Sequence, residues 1–207
     1  MNDELISVGL FIDGGYYAKI DEKLRTKYAM RLDMGRLQDY IRDRIAERKD
    51  VPFADCQITE SHYFRGRFKA NDANDKNILL TERKFEDMLI ENDVVFHYKH
   101  LREVHKKGGN TVIEKGIDVW YALETYELAC IRNFDFVVLI TGDADHEMLA
   151  RKLKAMKTCV LLLTWNLGDH TSTSRFLQEE ASWHIELSAE CAADPQLLKM
   201  LCKSAQV

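Results

Sequence analysis

The stretch Val137-Val138-Leu139-Ile140-Thr141-Gly142-Asp143-Ala144-Asp145-His146 decides how the chain is read. Four apolar residues in succession, ending in a polar turn with two carboxylates, are the mark of a parallel strand buried on both faces at its carboxyl end. Beyond it, Met148, Leu149 and Leu153 recur at helical spacing, so the segment predicts strand, acidic turn, helix. In open α/β sheets ligands bind at the carboxyl ends of the strands. A lone Asp there is explained by capping, since Asp is favoured at helix N-termini. Two flanking Ala144, with partners elsewhere in the chain, point to chemistry instead.

The same grammar opens the chain. Residues 7–12 are an apolar run ending in Asp13-Gly14-Gly15, and residues 16–27 carry Ala18, Ile20 and Leu24 on a helical period. Asp33 can cap a helix over 34–48 whose inward positions are Leu37, Tyr40, Ile41 and Ile45. Residues 56–58 and 61–64 give a second strand, followed by basic Arg65-Gly66-Arg67-Phe68-Lys69, a segment able to follow a phosphate backbone. A polar loop over 71–77 leads to a helix over 78–91 with Leu80, Phe85, Met88 and Leu89 inward, then a strand over 94–98. The most basic stretch, 99–110, has Gly108-Gly109 as a hairpin tip, with residues 111–113 returning. In the helix over 115–130, Val119, Leu123, Tyr126 and Cys130 form an apolar stripe expected to be buried, and Asp118 lies in the first turn. A fifth strand over 158–163, a helix over 174–181, an alternating edge strand over 183–187 and a helix opened by Pro195 complete the order.

Strands alternating with helices imply right-handed crossovers, a mainly parallel sheet and helices on both faces. The length of 207 residues suits one domain, read as residues 1–190 with a C-terminal helix over 191–207 packed on it or trailing it. No apolar run approaches the roughly 18 residues of a membrane span, and the acidic pair Asp3-Glu4 does not suit a signal peptide, so a cytoplasmic location is expected. Five scattered cysteines without C-x-x-C spacing argue for reduced thiols. A net charge of −5 offers no global attraction to nucleic acid, so any such contact must come from local basic residues.

The topology sends Asp13, Asp143 and Asp145 to one sheet edge, and Asp118 can join them from its helix start. Four neighbouring carboxylates repel unless some hold protons or a cation lies among them. Oxygen ligands without His or Cys select Mg²⁺ or Mn²⁺, which suit hydrolysis of a phosphodiester. His97, His100 and His105 match no common metal-ligand spacing.

The motifs Phe11-Ile12-Asp13-Gly14, Lys115-Gly116-Ile117-Asp118 and Leu139-Ile140-Thr141-Gly142-Asp143-Ala144-Asp145, followed by a strand and a Ser174-x-x-Leu177 helix, resemble the NYN domain of the LabA/DUF88 group in the PIN-like nuclease superfamily. The resemblance runs from about Val8 to Leu187. It implies a PIN-like three-layer α/β/α sandwich and Mg²⁺- or Mn²⁺-dependent ribonuclease activity. Asp13, Asp118 and Asp143 match the metal-binding positions, Asp145 a frequent fourth acid, and Thr141 a hydroxyl that orients the site. Lys115, Arg65, Arg67, Lys106 and Lys107 are the residues expected to contact the RNA backbone. Tyr16 stands where members usually carry Asn, His146 where Phe is common, and Ser182 where a late Asp precedes the final strand. The loss of the amide at Tyr16, together with the acidic net charge, favours the alternative of a non-catalytic module binding RNA or protein through the same edge. A phosphatase using Asp13 as nucleophile would want a second Asp at position 15, which is Gly15. The expected partner is RNA, with no membrane; a homodimer is left open.

Overall fold

The computed structural model describes residues 5–106, 109–168 and 170–205. The chain runs β1 (Ile6–Asp13), α1 (Gly14–Tyr28), β2 (Met30–Leu32), α2 (Met34–Lys49), β3 (Cys56–Arg67), α3 (Ala70–Asp75), α4 (Leu79–Glu91), β4 (Val95–His100), β5 (Arg102–Lys106) and β6 (Gly109–Ile113). It continues through α5 (Ile117–Arg132), β7 (Phe136–Ile140), a 3-10 turn at Ala144–His146, α6 (Glu147–Ala155), β8 (Cys159–Thr164), α7 (Arg175–Glu180), β9 (Trp183–Glu186), α8 (Leu187–Ala193), α9 (Pro195–Leu201) and β10 (Cys202–Ser204).

Six strands form one sheet in the order β4-β3-β1-β7-β8-β9, every pairing parallel. The chain steps outward from β1 through β3 to β4, returns across the sheet by α5, and steps outward again from β7 to β9. Right-handed crossovers in opposite directions put their helices on opposite faces. Thus α1, α2 and α4 cover one face, while α5, α6 and α7 cover the other. The apolar runs follow from this. On β7, Phe136, Val138 and Ile140 enter the first core while Val137 and Leu139 enter the second, so no position faces water. This is a three-layer α/β/α sandwich of the PIN-like kind. The strand order reverses between β1 and β7, and their carboxyl ends carry Asp13 and the Asp143 turn.

The sequence reading needs correction in several places. The helix α5 turns Ile117, Tyr121, Thr125 and Ala129 to the sheet, whereas Val119 and Leu123 are 61% and 64% exposed and Tyr126 and Cys130 also face outward. Two stripes compete on this helix, and the one with Thr and Ala on it lets the helix sit low enough for the Tyr121 hydroxyl to donate to the Phe11 carbonyl at 3.2 Å. Leu80 is likewise exposed, because the sheet side of α4 is led by Leu89. The polar stretch after residue 70 is the short helix α3 rather than a loop, and Arg65 to Arg67 extend β3 rather than leaving it.

The basic hairpin forms as β5 and β6, with Lys106 opposite Gly109; its tip, including Lys107, lies outside the described residues, and so does the side chain of Lys106. The C-terminal segment packs on the body. Leu197 and Leu201 enter the first core, β10 pairs antiparallel with β2, and Arg36 donates to the carbonyls of Lys199 and Cys202. The five cysteines are free thiols, and no helix among the described residues is long and apolar enough to cross a membrane.

Candidate active site

Asp13 is the last residue of β1 and the N-cap of α1. Its Oδ1 accepts from the amides of Gly15 at 2.9 Å and Tyr16 at 3.1 Å, and its Oδ2 accepts from the Thr141 hydroxyl at 3.1 Å. The capping role expected of an isolated Asp is therefore real, and it fixes the carboxylate at the edge. Gly14 is required by close packing. A Cβ there would lie 2.5 Å from the Tyr63 ring and 2.6 Å from the Phe64 carbonyl oxygen.

Thr141 is fully buried at the end of β7. Its oxygen donates to Asp13 and accepts from the Asp143 amide at 3.2 Å, so one hydroxyl ties the β1 acid to the β7 turn. Asp143 caps the 3-10 turn, its Oδ1 accepting from the Asp145 amide at 3.0 Å. Asp143 and Asp145 are exposed.

Asp118 arrives from the other face. Gly116 holds φ at 79°, the left-handed region that favours glycine, which lets α5 begin at Ile117 with Asp118 in its first turn. The Asp118 side chain is exposed overall, yet the partial burial it keeps, and after it the negative charge of Asp13, raises its carboxyl above its ordinary value; Asp143 and Asp145 add to this, and His146 opposes it. Among the described residues the Asp118 side chain has no hydrogen-bond or ion-pair partner. The edge thus carries more negative charge than its own residues neutralise. For a hard divalent cation the donors are right in kind, all carboxylate oxygens. They are not gathered as the sequence reading expected: Asp13 and Asp143 are turned onto neighbouring amides, and among the described residues no three His, Cys, Asp or Glu side chains converge on a point fit for an ion.

Two expected contributors do something else. The Tyr16 side chain turns from the carboxylates. Its hydroxyl accepts from the Trp165 amide at 2.9 Å and is shared between the carbonyls of Trp165 at 2.9 Å and Thr171 at 3.2 Å, and burial pushes its phenol up to about 12. It staples the loop after β8 and serves Asp13 only through its amide. Arg67 is neutralised by Glu86 at 2.8 Å, with Glu82 at 3.9 Å. Arg65, one strand over from Asp13, has no carboxylate within 4.0 Å among the described residues, and Lys115 is exposed just ahead of α5. His97 pairs with His62, Nε2 to Nδ1 at 2.9 Å, under α5, and among the described residues no group of histidines fit for a metal forms.

Three residues at this edge escaped the sequence reading as contributors. His146 is 1% exposed, its ring 4.5 Å from Tyr121, with both ring nitrogens unpartnered. Glu114 accepts from the Gly66 amide, and its carboxylate faces Gly15. The Lys99 ammonium lies beside Gly116, at the start of α5. His146 was visible as the residue after Asp145 and Lys99 as the first residue of the basic stretch 99–110; nothing in the sequence marks Glu114.

No curated protein matches the chain. A solved structure of a protein of unknown function from Vibrio parahaemolyticus superposes with a TM-score of 0.59 at 17% identity, covering 90% of this chain and 96% of that one, a likeness of fold. The NYN domain model matches residues 7–188, and NYN domains are part of the PIN-like superfamily, whose members are generally nucleases. Because that match begins in β1 and ends beyond β9, taking in every strand of the central sheet, the chain belongs to the NYN domain family.

Proposed function

We propose that the protein is a Mg²⁺- or Mn²⁺-dependent ribonuclease that hydrolyses phosphodiester bonds at the carboxyl edge of the sheet. The observation that supports the reading is that Asp13 and the Asp143 turn lie at the carboxyl edge where the strand order reverses, tied through the Thr141 hydroxyl, with Asp118 from a third element near enough to feel the charge of both. Asp13, Asp118 and Asp143 would hold the cation, which when bound offsets phosphate charge and makes water more acidic. Asp145, exposed and with its carboxylate unpaired among the described residues, is suited to accept the proton of the attacking water. Thr141 keeps Asp13 and the Asp143 turn in register. Arg65 and Lys115 supply local positive charge for the flanking phosphates of a chain that is acidic overall.

The alternative, an RNA- or protein-binding module without catalysis, is favoured by the carboxylates' being turned onto their own amides. Calorimetric titration of Mn²⁺ followed by an RNA cleavage assay separates the two. Cation-dependent cleavage lost in Asp13→Asn and Asp143→Asn supports the enzyme; RNA binding without cleavage, unchanged in both variants, supports the module.

A further inference from the structure

Beside the acidic edge, on the face opposite α5, a cleft of about 350 Å³ opens between α1 and α4 over the carboxyl ends of β3 and β4. We propose that this cleft takes one unpaired nucleotide of the RNA strand whose backbone lies at the carboxylate edge; the proposal rests on the ribonuclease reading and adds a requirement for single-stranded substrate.

Three observations carry it. The cleft is continuous with the edge. Arg65 and Gly66 line it, Gly66 donates its amide to Glu114, and the Arg65 Cβ stands 2.8 Å from where a Cβ of Gly14 would be. Its walls also have the chemistry of a base-binding site. Phe68, Phe85 and Tyr98 line it with the Arg67 guanidinium 5.2 Å from the Tyr98 ring centre, and aromatic faces with arginine planes are what unpaired bases stack upon. Finally, its polar groups are incompletely used. Arg67 Nε and Glu82 Oε2 are buried without a hydrogen-bond partner, the latter 3.9 Å from Arg67 Nη2, a donor and an acceptor of the kind that reads a base edge or a ribose hydroxyl, and Arg65 lines the wall beside Tyr63 and Glu114. The volume lies near the lower end of the roughly 300–1,000 Å³ usual for small-ligand sites, room for one nucleotide and not for a base pair.

The test measures binding in EDTA, so that cleavage plays no part, using a labelled unstructured RNA and a blunt duplex of equal length. Ala18→Phe fills the cleft from α1 without touching the carboxylates, and Phe68→Ala, at a partly exposed position, removes a stacking surface. The wild type is expected to prefer the unpaired strand. Each variant should weaken that binding about tenfold, with duplex binding, melting temperature and Mn²⁺ affinity unchanged. Unpaired RNA held equally by the wild type and both variants overturns the cleft while leaving the nuclease reading in place. Cleft-dependent binding without cation-dependent cleavage overturns the nuclease reading and keeps the cleft as a strand-binding site. A wild type that binds neither RNA overturns both.

Discussion

Replacing Thr141 by Val keeps the branched shape at a fully buried position and deletes only the hydroxyl that joins the two halves of the acidic edge. The Asp13 carboxylate loses one of three donors, and the Asp143 amide loses its acceptor. A hydrogen bond to a charged acceptor contributes about 1.5–3 kcal/mol and a neutral one about 0.5–1.5 kcal/mol. Because Asp13 is only half-buried and Asp143 exposed, water reaches both groups and the lower ends apply, about 2 kcal/mol together. In a chain of this length that corresponds to a fall of about 4–8 °C in melting temperature. Thr141→Ser restores the oxygen and gives up a methyl group, about 0.8 kcal/mol. Scanning calorimetry of the three proteins, with Mn²⁺ titration of each, should rank wild type above Ser and Ser above Val in both measurements. A Val variant that melts within about a degree of wild type and binds Mn²⁺ equally well would show that the hydroxyl is not the tie.

Asp118→Asn should slightly stabilise the metal-free protein. The folded carboxyl is raised, so it binds its proton more tightly than in the unfolded chain; its penalty appears as pH rises through the carboxylate range and persists at neutrality. Solvent screening at this exposed position keeps the gain below about 1 kcal/mol by denaturant titration, while Mn²⁺ affinity falls. Tyr16→Phe strands the Trp165 amide and should cost about 1–3 kcal/mol, with faster hydrogen exchange in the loop after β8 and any cleavage retained. Burial, then the charge of His62, lowers His97, with Glu124 opposing and the Phe64 and Trp120 rings packed against it. Stability from neutral His97 is complete above its ordinary value of about 6.5 and is lost as pH falls from there toward the lowered value. His97→Phe should flatten the fall of melting temperature below about pH 6.5; an unchanged slope would assign the acid sensitivity elsewhere.

The central strands were legible because burial on both faces writes itself as an unbroken apolar run, as in Val137 to Ile140. The edge strand was legible from its alternation, and Asp33 as a cap from its position before the α2 pattern. Strand order was not written in any local pattern, although it is what makes the ends of β1 and β7 special. Periodicity finds apolar stripes but cannot say which one meets the sheet, hence the reversal on α5. The acids could be listed from motif and topology; their mutual orientation depends on which amides and hydroxyls they find, a tertiary matter. Arg67 shows the same limit, since its basic neighbourhood hid the Glu86 that neutralises it.

The strand order leaves a seam. The sheet consists of two three-stranded halves, β1-β3-β4 and β7-β8-β9, joined along the β1–β7 pairing and spanned by α5. Asp13 belongs to one half and Asp143 to the other, with the Thr141 hydroxyl as a stitch across the join. Both apolar cores run across that join, so the packing that holds the halves together is also what keeps the two acids at their working distance. Cation affinity should therefore persist on warming until the fold itself melts, and comparing Mn²⁺ titrations with circular dichroism across temperature would check it: affinity lost well below the melting transition would refute the shared packing as its support.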